Sequence, residues 1–253
     1  MSANPEPAKD ETIVLRDAFV PHGRTVPFEN GWTWIAQAWT IFSRAAGVWI
    51  GMVIALILIY VVLAMLPVAG AIATIVAGPV FTGGLMLASR TIDQGGEPQF
   101  SQAFGGFKHR FGALAGVGAL YCAGMAVIVL LVILATGTGV WAALQAQTPE
   151  AVMAAGATLL LALLIFLALL TPLLMAMWFA PPLIVFHELG AVAAMQASFM
   201  GCLRNMLPFL LYGIVLFIAS LIASIPFGLG WLVLAPVFIA SIYTGYRDIY
   251  FTA

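Results

Sequence analysis

The sequence has 253 residues, of which 63% are hydrophobic and only 8% are charged. Soluble domains carry about 25% charged residues, so this composition excludes a soluble globular protein. The formal net charge of −1 does not favour nucleic acid as a partner. Residues 1–27 contain no apolar segment that could form a signal peptide core, so we expect a disordered tail there and one transmembrane domain over 28–253.

Long segments without Asp, Glu, Lys or Arg follow this tail. A helix needs roughly 20 apolar residues to cross the ~30 Å hydrocarbon core, and the first and last of these segments are each long enough for two spans. Proline and glycine divide both, at Pro67 and Gly70 and again at Pro226 and Gly230. The sequence predicts six transmembrane helices near residues 46–66, 70–89, 112–135, 155–179, 207–225 and 229–246.

The basic residues support this count. With six spans, all nine Lys and Arg residues fall on one side of the membrane, and the other side receives only Glu150. The positive-inside rule then places both termini in the cytoplasm. The basic residues that flank the spans are Arg44, Arg90, Lys108, Arg110, Arg204 and Arg247.

Short repeated motifs precede alternate spans. The pair Gln-Ala begins at Gln37, Gln102 and Gln196, and an arginine follows each pair seven or eight residues after the glutamine. Pro-Val-Phe begins at Pro79 and again at Pro236. These motifs predict an all-α polytopic bundle of three tandem hairpins, each preceded by an amphipathic helix at the membrane interface.

Aromatic residues mark the first of these interfacial helices. Trp32, Trp34 and Trp39 precede Arg44, and indole rings with a polar edge favour the headgroup level. We therefore predict all three as membrane-interface anchors. Small-residue spacings should allow close helix contacts. They occur at Gly47 and Gly51, at Gly112 and Gly116, and at Gly83 and Gly84.

Few residues suggest chemistry. His187 and Glu188 form a weak candidate ligand pair, with interfacial polar residues as the simpler interpretation. The three histidines lack partners at metal-ligand spacing, so no metal or cofactor is expected. The sequence contains no Gly-x-Ser-x-Gly elbow, phosphate loop or His-Glu-x-x-His motif. These absences argue against an enzyme.

Four motifs carry a resemblance. They are Gly31-Trp-x-Trp-Ile, Gly78-Pro-Val-Phe leading to Arg90, Leu203-Arg-Asn-x-Leu-Pro-Phe209, and Tyr246-Arg-Asp-Ile249. The chain resembles an uncharacterised proteobacterial family of multi-pass inner-membrane proteins. It is more distantly similar to the membrane domain of glycerophosphodiester phosphodiesterases, whose catalytic domain it lacks. The resemblance implies a bacterial inner-membrane location and no established activity.

Three functions stay open from the sequence. The first is a non-enzymatic protein that binds or moves a lipid or small molecule, or scaffolds a membrane complex. The second is a transporter or channel, with a cavity lined by Thr171, Ser220, Ser224 and Ser241. The third is an accessory subunit that contacts its partner through the aromatic helix. The expected partners are the lipid bilayer and either another membrane protein or a second copy of this chain.

Overall fold

The computed structural model describes residues 19–146 and 148–252, and this part of the chain is almost entirely helical. Its β structure is one isolated bridge between Phe19 and Phe251. The helices are α1 Asn30–Arg44, α2 Ala46–Ala64, α3 Pro67–Asp93, a 3-10 turn Phe100–Phe104, α4 Gly105–Lys108, α5 Phe111–Ala146, α6 Pro149–Trp178, α7 Ala180–His187, α8 Ala191–Arg204, α9 Met206–Ser224 and α10 Trp231–Tyr250.

Six helical segments in the described residues are long and apolar enough to cross a membrane. They are Ala46–Ala64, Pro67–Asp93, Phe111–Gly139, Glu150–His187, Met206–Ser224 and Trp231–Tyr250. The predicted all-α polytopic fold is therefore confirmed. Leucines on α6, such as Leu160 and Leu164, are more than half exposed, as expected for a helix face that contacts lipid tails.

The second hairpin is longer than the sequence predicts. The third span is predicted over 112–135, whereas α5 continues to Ala146. Thr136 donates its hydroxyl to the carbonyl of Val132 (2.7 Å), and a Cβ on Gly139 would lie only 3.3 Å from Thr158 of α6. The small residues therefore allow the two helices to stay close together, and the helix does not need to end there.

The short helices pack against the spans at one end of the bundle. We call this the basic end, because it carries Arg44, Arg90, Lys108, Arg110, Arg204 and Arg247. There α1 packs on α10 and α9, the 3-10 turn and α4 pack on α3, and α8 packs on α6 and α7. The alanines of the three Gln-Ala motifs, Ala38, Ala103 and Ala197, are all buried in these contacts. The organisation of the chain as three tandem units stays a prediction.

Residues 19–27 differ from the predicted disordered tail, whose remainder lies outside the described residues. The amide of Val20 donates to the carbonyl of Tyr250, and the amide of Arg24 donates to the carbonyl of Ile249, both at 2.8 Å. Val26 is buried. Backbone hydrogen bonds to the end of α10 hold this segment, a type of contact that hydropathy does not report.

Candidate binding cleft at the basic end

A cleft of about 380 Å³ opens at the basic end between α3, α7 and α10. We call it the central cleft. Both charged groups and aromatic rings line it, and its lining residues are Arg90, Asp93, Gln94, Phe186, His187, Tyr243, Tyr246, Arg247 and Phe251. The helices that contribute Arg90, His187 and Arg247 all carry these residues in their last turn. A basic group is favourable there because the unpaired carbonyls of a helix C-terminus carry partial negative charge.

The acidic group of the central cleft is already paired. The carboxylate of Asp93 accepts hydrogen bonds from the hydroxyl of Tyr243 (3.1 Å) and from the guanidinium of Arg247, with which it also forms an ion pair. Because these contacts neutralise Asp93 and hold Arg247, the cleft keeps a net positive charge from Arg90.

Arg90 is the basic residue of the central cleft whose N–H donors have no hydrogen-bond partner among the described residues. Its Cζ atom lies 5.2 Å from the ring centroid of Phe186, in a cation–π contact. Within residues 19–146 and 148–252, its guanidinium makes no hydrogen bond or ion pair. A planar guanidinium has five N–H donors in a fork that fits a carboxylate or a phosphate. The cleft therefore presents a site for an anionic group.

Of the predicted ligand pair, His187 lines the central cleft and Glu188 does not. The imidazole of His187 lies 2.5 Å from the hydroxyl of Tyr246, and the ring of Phe19 stacks on it with centroids 3.5 Å apart. Glu188 is exposed, has a positive φ of 55°, and accepts a hydrogen bond from Arg110 at its backbone carbonyl. The two side chains therefore do not share a site. No group of three His, Cys, Asp or Glu among the described residues could hold a metal ion.

A second cleft of about 300 Å³ lies beside the first, between the end of α3 and the loop that contains α4. We call it the side cleft. It is lined by Leu87, Arg90, Thr91, Gln94, Ser101, Gln102, Gly105, Lys108 and His109. The amide of Gln102 donates to the hydroxyl of Thr91 (2.8 Å) and its oxygen accepts from the backbone of Gln99 (2.9 Å), so the wall of the side cleft is fixed. The two clefts share Arg90 and Gln94.

The side chain of Asp248 on α10 joins this helix to α1 and to the N-terminal segment. Its carboxylate accepts hydrogen bonds from Arg24 (3.0 Å), Asn30 (2.7 Å) and the indole of Trp34 (2.8 Å). Trp34 is only 1% exposed, whereas Trp32 and Trp39 are 57% and 54% exposed. The prediction of Trp34 as a membrane-interface anchor is therefore wrong, because α10 covers this face of α1.

The remaining predicted basic residues lie at the basic end but outside the central cleft. Arg44 reaches the carbonyl of Ile92 (3.5 Å), and Arg204 donates to the carbonyl of Gly23 (2.8 Å). Near Arg204, burial raises the pKa of the Cys202 thiol to about 12, so this thiol is protonated and unreactive at neutral pH.

Sequence reasoning did not find the aromatic wall of the central cleft. Of this wall, Tyr243 and Tyr246 lie three residues apart on α10, so they share one helix face. This spacing is the sequence pattern from which an aromatic face on α10 could have been predicted. It is hard to separate from ordinary packing when the partner helices are unknown.

The hydroxyls predicted to line a channel do not come together. Thr171 donates to its own helix at Leu167. Ser220 and Ser224 do the same within α9. Ser241 is buried and bonds to the hydroxyl of Tyr212 (2.6 Å). These four residues therefore do not form one polar cavity.

Comparison with known proteins adds one relative. No protein-family model matches the sequence, and no solved structure matches it. The chain is 28% identical over 220 residues to a probable inner membrane protein of Burkholderia thailandensis. The aligned region covers 83% of this chain and 80% of the relative. The resemblance to the phosphodiesterase membrane domain stays a prediction. Together with the six apolar helices, this similarity identifies the chain as a multi-pass α-helical membrane protein.

Proposed function

We propose that this chain is a non-enzymatic protein of the bacterial inner membrane that binds the acidic headgroup of a lipid or small molecule in the central cleft. The observation that carries the proposal is the free guanidinium of Arg90 at a cleft with aromatic walls. Such a group, next to apolar rings, favours a ligand with an anionic head and an apolar body.

Two further observations support binding without chemistry. The carboxylate of Asp93 and the imidazole of His187 are the cleft groups best suited to act as a general base, and each is held by a tyrosine hydroxyl. Asp93 is also neutralised by Arg247. Because a catalytic acid or base must reach the ligand's proton, these side chains are better suited to shaping the cleft than to catalysis.

Replacing Arg90 should weaken binding of an anionic amphiphile. We expect Arg90→Gln to reduce the affinity for phosphatidylglycerol about tenfold or more, as removal of a charge-assisted hydrogen bond does. The affinity is measured by native mass spectrometry of purified protein titrated with the lipid. Zwitterionic phosphatidylethanolamine is the lipid control.

Arg110→Gln is the matched protein control for this measurement. Arg110 lies at the same end of the bundle and carries the same charge, but it lines neither cleft. Equal loss of affinity in both variants would show a general effect of charge. It would count against the central cleft as the binding site.

We further propose that the basic end faces the cytoplasm, as the one-sided basic residues favour. Single cysteines are introduced at exposed Glu97 and exposed Gln145 in a background that lacks Cys122 and Cys202. A membrane-impermeant maleimide added to intact cells should label Gln145→Cys and not Glu97→Cys. The reverse pattern would overturn the orientation.

A second candidate function is that of an accessory subunit, and the exposed Trp32 and Trp39 on α1 favour it. Exposed indoles fit either the headgroup layer or a partner protein. Photo-crosslinking from position 39 distinguishes these alternatives, because a defined protein adduct, from another protein or a second copy of this chain, supports the subunit function. Lipid adducts alone support the headgroup layer.

A further inference from the structure

We infer that the ligand is a membrane lipid with two phosphate groups, one held in each of the two clefts that meet at Arg90. This inference rests on the proposed function, because it takes the central cleft as the first anion site. What it adds is the side cleft, which supplies a second cation in Lys108.

The side cleft is positively charged and contains no acidic residue in its lining. Lys108 makes no hydrogen bond or ion pair within the described part of the chain, and Ser101, Gln102 and Gln94 add polar groups around it. Lysine binds phosphate as a point charge, and neutral amides and hydroxyls complete the hydrogen bonds. The side cleft therefore has the chemistry of a phosphate site in its own right.

The two clefts are adjacent, because Arg90 and Gln94 line both of them. The N–H donors of Arg90 lie on different edges of its guanidinium, so Arg90 can contact an anionic group in each cleft. A ligand with one phosphate would leave one cleft without an anion. A lipid whose headgroup carries two phosphates would use the donors of both, and basic pockets among transmembrane helices bind lipids of this class.

The source of the ligand follows from the residues beside Lys108. Phe100, Phe107 and Phe111 are 47%, 44% and 48% exposed, and all three lie in or next to the loop that forms the side cleft. Exposed aromatic rings in this number are unfavourable in water and favourable at the boundary of headgroups and acyl chains. The loop is therefore expected to lie in the bilayer interface, which brings the side cleft level with lipid phosphates.

The test compares two lipids that differ in phosphate number. Purified full-length protein is titrated with cardiolipin and with phosphatidylglycerol, and the dissociation constants are read by native mass spectrometry. We expect the wild-type protein to bind cardiolipin about tenfold more tightly than phosphatidylglycerol. Lys108→Gln should lower the affinity for cardiolipin to the level of phosphatidylglycerol, whereas Arg110→Gln should keep the preference. The melting temperature of each variant confirms that it is folded.

The outcomes separate this inference from the proposed function. Equal affinities for the two lipids, both dependent on Arg90, would leave the proposed function standing and overturn the two-phosphate ligand. Affinities that do not depend on Arg90 would overturn both. Displacement of bound cardiolipin by inorganic diphosphate would contradict a lipid as the source.

Discussion

Gly84→Ala should lower the free energy of unfolding by about 2 to 3 kcal/mol, the typical cost of forcing extra volume into a packed contact. A Cβ at Gly84 would lie 2.4 Å from the carbonyl oxygen of Ala103 and 2.6 Å from that of Gln102. Both are backbone atoms of the 3-10 turn and cannot rotate away. The turn would have to separate from α3, so Gln102 would also lose its position in the wall of the side cleft. Thermal unfolding in detergent measures the change.

Gly78→Ala is the control, because Gly78 lies in the same helix and a Cβ there would meet no atom within 4 Å. Alanine is a better helix former than glycine by up to about 1 kcal/mol, so this variant should be as stable as the wild-type protein or slightly more stable. Similar melting temperatures for both variants would contradict the close contact between α3 and the 3-10 turn.

Asp248→Ala should have an effect of similar size, about 2 to 4 kcal/mol, because it leaves a buried donor unpaired and breaks an ion pair. The indole N–H of Trp34 would lose its acceptor in a site that is 1% exposed. Arg24 would lose its ion pair with the carboxylate, and the segment from Phe19 to Pro27 would be held less firmly. We expect faster trypsin cleavage after Arg24 together with a lower melting temperature.

Glu97→Ala removes the same charge from an exposed loop and should change the stability by less than about 0.5 kcal/mol, as surface substitutions usually do. If Asp248→Ala matched this control in melting temperature and in trypsin cleavage, the role of Asp248 in joining α10, α1 and the N-terminal segment would be wrong.

The membrane spans could be predicted from the sequence because they depend on apolar length and on the side taken by basic residues. The residues at which these helices end could not be predicted in the same way. The helix predicted over 70–89 continues to Asp93, and the last continues to Tyr250, so Arg90 and Arg247 belong to final helical turns. Packed neighbours at the basic end supply partners for these polar groups, and hydropathy has no information about such partners.

The central cleft depends on contacts between residues far apart in the sequence. No sequence pattern places Arg90, His187 and Tyr246 near one another, and only the meeting of α3, α7 and α10 brings them together. The tryptophans show the same limit. Trp32, Trp34 and Trp39 look alike in sequence, yet Trp34 alone is buried.

Glycine spacing in the sequence also predicts helix contacts only in part. In the two predicted glycine pairs, a Cβ at Gly47 or at Gly112 would meet nothing within 4 Å, whereas a Cβ at Gly116 would lie 3.2 Å from the Cβ of Ala191. Gly84 does make a close contact. Spacing shows which residues share a helix face, whereas the choice of the face that meets a neighbour is a property of the whole bundle.

The most direct test of anion binding at Arg90 is a crystal structure of the protein grown from a lipid mesophase doped with an anionic phospholipid. We expect electron density for a phosphate group within hydrogen-bonding distance of the guanidinium of Arg90, with the apolar part of the lipid against the ring of Phe186. A map that resolves Arg90, Phe186 and Tyr246 but shows only water in the central cleft would contradict it.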